Sequence, residues 1–122
     1  MSLVRSKALH AGGGFVLMGG WAFFANRAHD MPAPLVAGLV QGLLTASITL
    51  VLKRLIEGIF HRSVGWQRMV VPPLAAFLIS VFLLTGIHTV AGTPAVLATI
   101  SVPLTVSTLY AFLYTLTLSR HA

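Results

Sequence analysis

Uncharged hydrogen-bonding side chains recur at intervals of three and four residues in two apolar segments of this chain. Such spacing places them along one face of a helix. The two stripes consist of Gly38, Gln41, Gly42, Thr45 and Thr49 in one segment and Ser101, Thr105 and Thr108 in the other. We expect both stripes to face protein rather than lipid.

Two kinds of chemistry are compatible with these stripes. Hydroxyl and amide groups, with Tyr110 as a further member, could line a polar path for a small solute or a lipid headgroup. Alternatively, the stripes could serve helix packing, since Gly38 and Gly42 allow two backbones to approach closely. The sequence leaves both interpretations open.

A second set of candidate residues lies near the end of the first apolar segment. It consists of Asn26, Arg27, His29 and Asp30, joined by His88, which lies at the corresponding end of the third apolar segment. Arg27 and Asp30 are three residues apart and could form an ion pair at a solvated helix end. Arg27 could instead hold the phosphate of a lipid headgroup on the outer side, assisted by a histidine.

The residue inventory gives little support to catalysis or metal binding. The chain has no cysteine, and it lacks HExxH and GxSxG motifs. Its five histidines are so distributed that only His29 and His88 could meet, and two ligands are too few for a zinc site. Both acids, Asp30 and Glu57, lie near the membrane interfaces, whereas a proton-coupled pump generally keeps a carboxylate or a histidine relay in the membrane interior. We therefore expect no enzyme, no metal and no other cofactor.

Composition predicts the elements that carry these residues. With 57% hydrophobic and 8% charged residues, a soluble domain of 122 residues could not cover its surface with polar groups. Apolar runs of about 20 residues predict four membrane-spanning helices. Their expected ranges are about 9–26, 34–52 with an interfacial extension to 62, 70–88 and 95–118. The predicted fold is all-α, a single transmembrane domain over residues 1–122.

The basic residues predict the topology. Seven of the eight lie at the chain ends or between the second and third spans, namely Arg5, Lys7, Lys53, Arg54, Arg62, Arg68 and Arg120. Cytoplasmic segments retain Lys and Arg, so we expect two hairpins in a cell inner membrane with both termini in the cytoplasm. The net charge of +6 then lies beside lipid headgroups, and we expect no nucleic-acid partner.

Prolines mark the expected helix starts. Pro34, the pair at 72–73 and Pro94 would occupy first turns, where a missing N–H costs little. Pro103 lies in the middle of the fourth span and predicts a kink there. Such a kink would be either structural or part of a gate.

A shift of sixty residues aligns the second span with the fourth. It places 34–36 on 94–96, 44–47 on 104–107, and Gln41 on Ser101. The matches are consistent with a tandem two-helix repeat, which would give the two halves the same orientation. Chance similarity between two apolar helices would produce them as well.

No motif assigns the chain to a family of small four-helix membrane proteins. Small multidrug exporters, for example, use a carboxylate in the first helix, where this chain has none. The pattern predicts a transport or lipid-translocation component that contacts membrane lipids and works as a homo-oligomer or with a membrane-protein partner. The alternative is a non-catalytic accessory or assembly subunit whose stripes only pack against partners.

Overall fold

The computed structural model describes the backbone of residues 3–122 and the side chains of residues 5, 6 and 8–122. Lys7, one of the predicted cytoplasmic cations, therefore has its side chain outside the described set. The described residues form four helices, α1 (Leu3–Ala25), α2 (Ala33–Arg62), α3 (Gln67–Val90) and α4 (Val96–Arg120). All four are long and apolar enough to cross a membrane. The predicted all-α class and the number of such helices are confirmed.

The second helix is longer than a membrane crossing requires. Its 30 residues span about 45 Å, against a hydrocarbon thickness of about 30 Å. The segment predicted as an interfacial extension continues the same helix past Lys53 and Arg54. Ile56 and Phe60 in this segment are fully buried, so it packs against the bundle.

The third helix begins earlier than its prolines predict. A left-handed turn at Gly65, with φ of 63°, precedes the helix. The N–H groups of Arg68 and Met69 then donate to carbonyl oxygens three residues back, at 3.3 and 3.1 Å. The prolines at 72–73 consequently lie inside the helix and are buried. Their expected first-turn position is wrong, because the glycine turn starts the helix before them.

The second helix is central to the packing. It contacts the other three helices, as α4 does, while α1 packs mainly on α2 and α3 mainly on α4. Its buried face carries Leu44, Ile48, Leu52 and Ile56 at four-residue steps. Many large apolar side chains elsewhere are exposed, as expected for helices that face lipid.

Contacts between helices define two ends of the bundle. At one end Asn26 meets Ala95; we call it the Asn26 end. At the other end Glu57 meets Tyr114; we call it the Glu57 end. The predicted polar stripes of α2 and α4 lie between these two contacts.

Candidate functional site

A cleft of about 140 Å³ lies between α2 and α4. Its walls consist of Gln41, Thr45, Ile48, Thr49 and Leu52 from α2, Pro103, Val106, Ser107 and Tyr110 from α4, Met18 from α1 and Leu84 from α3. None of these side chains carries a charge. The walls are therefore mostly apolar, with a few hydroxyl groups and one amide.

The cleft opens on the side of the bundle. Of its lining residues, Thr49 is exposed and Val106 is 48% exposed, whereas Gln41 and Leu84 are buried. Towards the Asn26 end α1 is joined to α4, because Trp21 donates to the Ala98 carbonyl oxygen at 3.0 Å. The exposed positions place the mouth between α2 and α4, where lipid would surround the protein.

The predicted stripe of α2 divides into two adjoining faces. Gly38 and Gly42 lie against α1: a Cβ added at Gly38 would be 3.0 Å from the Gly19 carbonyl oxygen, and one at Gly42 would be 2.8 Å from the Phe15 ring. The remaining members, Gln41, Thr45 and Thr49, line the cleft. The stripe therefore carries close helix packing on one side and the polar wall of the cleft on the other.

The predicted stripe of α4 lies outside the cleft. Ser101 and Thr105 are exposed, and their hydroxyls donate to carbonyl oxygens of their own helix at 2.7 and 2.8 Å. Thr108 is half-buried and does the same at 2.8 Å. Within the chain, the expectation of a protein-facing stripe does not hold for Ser101 and Thr105. Gln41 and Ser101, which the sixty-residue shift aligns, also differ in burial: Gln41 is buried and Ser101 is exposed.

The neighbouring face of α4 supplies the cleft residues instead. Ser107 lies in a four-residue row with Pro103 and Ala111, both of which are buried. Sequence reasoning missed Ser107, although this row was a usable signal. The spacing of hydroxyl residues shows which of them share a face, but the rotation of that face depends on the neighbouring helices.

A buried histidine connects the cleft to the end of α3. His88 is fully buried, and its Nε2 lies 2.8 Å from Gln41 Oε1. Its Nδ1 lies 2.7 Å from Thr93 Oγ1. Gln41 in turn donates from Nε2 to Thr45 Oγ1 at 3.0 Å. All these atoms are satisfied when Nε2 of the histidine carries the proton and the Thr93 hydroxyl donates to Nδ1.

A glycine turn brings Thr93 to this histidine. Gly92 has φ of 77°, in the left-handed region that favours glycine. The Thr93 N–H donates to the His88 carbonyl oxygen at 2.9 Å, and the Gly92 N–H donates to that of Thr89 at 3.1 Å. This pair of bonds is a Schellman helix end. The same turn therefore ends α3 and positions the threonine hydroxyl beside the ring.

Asn26, predicted at an outer headgroup site, instead joins α1 to α4. It is fully buried, and its Oδ1 accepts the N–H of Ala95 at 2.9 Å. Its Nδ2 donates to Thr99 Oγ1 at 2.7 Å. Ala95 precedes α4 and has no capping side chain of its own. The Asn26 side chain, just after the end of α1, thus accepts a backbone N–H at the start of α4 that has no partner within its own helix.

The five residues predicted for the headgroup site divide into two buried and three exposed side chains. Asn26 and His88 are buried in separate hydrogen-bond networks, whereas Arg27, His29 and Asp30 are exposed. The Arg27 guanidinium lies 3.8 Å from the centre of the Phe24 ring and donates to the Phe24 carbonyl oxygen. It forms no ion pair with Asp30 in the structure.

A tryptophan of α1 compensates for the backbone hydrogen bond that Pro103 removes from α4. Because proline has no N–H, the carbonyl of Thr99 four residues earlier loses its helical donor. The Trp21 Nε1–H is shared between the Ala98 carbonyl oxygen at 3.0 Å and this Thr99 oxygen at 3.2 Å, and it donates to both. A neighbouring helix therefore satisfies the freed backbone group, as spanning helices with proline require. The helix continues to Arg120, and a gating kink at Pro103 stays a prediction.

Two stacked tyrosines lie towards the Glu57 end of the cleft. The rings of Tyr110 and Tyr114 are 5.6 Å apart and nearly parallel. The Tyr114 hydroxyl donates to the Glu57 carboxylate. Since Tyr110 lines the cleft, the carboxylate lies beyond its polar wall and not in it.

Comparisons of the chain with protein-family models, curated proteins and solved structures found no match. The chemistry of the cleft must follow from its own residues. Apolar walls with a few uncharged polar groups suit a mainly apolar molecule that bears a small polar group.

Proposed function

We propose that this chain is a small multi-pass membrane protein that transports or translocates a lipid, which enters the cleft sideways from the bilayer. The observation that carries this proposal is a laterally open cleft between helices apolar enough to cross a membrane. Its walls would contact an acyl or isoprenoid chain, and its hydroxyls would contact a polar group. Because the lipid would enter from the side, it would not have to pass through either end of the helix bundle.

We further propose an inner membrane as the location, with both termini in the cytoplasm. This orientation is supported by the Lys and Arg residues that cluster at the termini and between α2 and α3. It places the Glu57 end on the cytoplasmic side. A homo-oligomer or a membrane-protein partner would cover part of the exposed surface of α1 and α4.

Thr49→Trp, with Thr105→Trp as its control, tests the role of the cleft. Each threonine is exposed and donates to the carbonyl oxygen four residues earlier at 2.8 Å. The two substitutions therefore remove the same bond and add the same bulk. Only the indole at position 49 would fill the mouth of the cleft.

The first readout is photolabelling in vesicles of phosphatidylethanolamine and phosphatidylglycerol. Lipids with a diazirine in one acyl chain, including neutral and phospholipid probes, would label residues of the cleft, which peptide mass spectrometry identifies. The second readout is the rate at which a fluorescent lipid crosses the vesicle bilayer. We expect Thr49→Trp to lose cleft labelling and lipid crossing, and Thr105→Trp to keep both. Equal labelling and crossing in the two variants would contradict the proposal.

The accessory or assembly role is a second candidate. It is supported by Ser101 and Thr105, polar side chains on an outward face of α4, and by Gly12, Gly13 and Gly20 of α1, beside which a Cβ would meet no neighbour within 4 Å. The same pair of variants separates the two functions. Loss of a co-purifying partner or of the oligomer in Thr105→Trp, with normal assembly in Thr49→Trp, would favour the accessory role.

A further inference from the structure

We infer that the cleft selects a neutral lipid whose polar group carries a carbonyl or hydroxyl oxygen, and that Tyr110 donates a hydrogen bond to this oxygen. This inference rests on the proposed function and specifies its substrate class. It follows from which hydroxyl groups of the cleft are already bonded.

Most polar groups of the cleft already donate their protons to other atoms of the protein. The Thr49 hydroxyl donates to the Thr45 carbonyl oxygen at 2.8 Å, and the Ser107 hydroxyl donates to that of Leu104 at 3.1 Å. Gln41 is fully buried, with its oxygen on His88 and its nitrogen on Thr45. The Thr49 and Ser107 hydroxyls can therefore still accept a hydrogen bond from a ligand but cannot donate one, and Gln41 is closed to a ligand.

Two hydroxyl protons are still free. Tyr110 lines the cleft, and its hydroxyl has no hydrogen-bond partner among the described residues. Thr45 Oγ1 accepts a bond from Gln41, but its own proton has no acceptor in that part of the chain. By contrast, the neighbouring Tyr114 hydroxyl is occupied by Glu57. The cleft therefore offers two free hydroxyl donors, Tyr110 and Thr45, and a ligand that uses them presents an acceptor oxygen.

The absence of charge from the cleft walls determines the rest of the ligand. A phosphate or carboxylate placed between these helices would lose its hydration, and no lining side chain is a cation that could compensate it. The Glu57 carboxylate, reached through Tyr114 and Tyr110, further disfavours an anion. An ammonium group would find no anion on the walls either. A diacylglycerol, a quinone or a polyprenol meets these requirements, whereas a charged phospholipid headgroup would remain outside the cleft.

Paired photolabelling tests this selection. Diacylglycerol and phosphatidylglycerol probes with the same diazirine-bearing acyl chain are compared in phosphatidylcholine vesicles containing the full chain. We expect the diacylglycerol probe to label cleft residues of α2 and α4 and to be displaced by unlabelled diacylglycerol. The phosphatidylglycerol probe should label outward-facing residues and not be displaced.

Tyr110→Phe, with Tyr114→Phe as its control, tests the donor. Both changes remove one hydroxyl and keep the ring, and labelling is compared at equal amounts of folded protein. Loss of a single hydrogen bond should lower diacylglycerol labelling of the cleft about five-fold in Tyr110→Phe, and leave it unchanged in Tyr114→Phe. Thr45→Val, which removes the other free donor, should also lower it.

The outcomes distinguish this inference from the proposed function. Equal cleft labelling by both probes, or full labelling in Tyr110→Phe, would overturn the neutral-lipid selection while a lipid-binding cleft stands. Labelling of the cleft by neither probe would overturn both. Displaceable labelling by diacylglycerol alone, dependent on Tyr110, supports both.

Discussion

Replacing Gly19 with alanine should separate α1 from α2. A Cβ at this position would lie 2.8 Å from the Gly38 carbonyl oxygen and 3.6 Å from the Gly42 Cα. Both neighbouring atoms belong to the backbone, so no side-chain rotation relieves the clash. The two helices would have to move apart by about half an ångström, and neighbouring contacts would then lose part of their dispersion energy.

The adjacent glycine provides a matched comparison. A Cβ at Gly20 would meet nothing within 4 Å. Alanine is favoured over glycine in a helix by up to about 1 kcal/mol, and this gain applies to both positions. Overpacking costs about 1–3 kcal/mol and applies to Gly19 alone. We therefore expect Gly19→Ala to have a lower free energy of unfolding than Gly20→Ala by about 1–3 kcal/mol, or roughly 5- to 150-fold in the folding equilibrium.

The assay is equilibrium unfolding by sodium dodecyl sulfate in dodecyl maltoside micelles, followed by tryptophan fluorescence. Gly38→Ala adds a third measurement, because its Cβ would lie 3.0 Å from the Gly19 carbonyl oxygen. It should be destabilised as well, and the Gly19→Ala, Gly38→Ala double variant should lose less than the sum because one contact is shared. Equal stability of Gly19→Ala and Gly20→Ala would refute the close helix approach.

Three further predictions use the same unfolding assay. Trp21→Phe should cost about 1–3 kcal/mol, because the carbonyl freed by Pro103 loses its donor. Its unfolding is followed by circular dichroism, since only the exposed Trp66 remains as a fluorophore. Pro103→Ala should reduce that cost, and additive effects in the double variant would contradict the compensation. Ser80 has a buried hydroxyl without a hydrogen-bond partner in the described part of the chain, so Ser80→Ala should keep or raise the free energy of unfolding, by up to about 1 kcal/mol. Gly92→Ala should lower the free energy of unfolding by about 1–2 kcal/mol, because φ there is 77°. Gly86→Ala is the control: this glycine lies inside α3 with open space around it, so the substitution should not destabilise the protein. Similar losses in both variants would argue against the glycine turn.

The candidate site could be predicted in part. The helical spacing of Gln41, Thr45 and Thr49 is enough to place them on one face, because each residue advances a helix by a fixed angle. The same reasoning groups Ser101 with Thr105 but cannot tell whether that face turns inward. In α4 the inward face is the one that carries the buried Pro103 and the half-buried Ser107, and it lines the cleft opposite α2.

The sequence alone determined the all-α class and the four helices long and apolar enough to cross a membrane. These follow from the local run of apolar residues, which does not depend on neighbours. Only the tertiary structure decided the polar contacts inside the bundle, where His88 meets Gln41, Asn26 meets Thr99 and Trp21 meets the Thr99 carbonyl across 47, 73 and 78 residues of sequence. Such hydrogen bonds depend on the rotation and relative height of packed helices, and no local pattern specifies either.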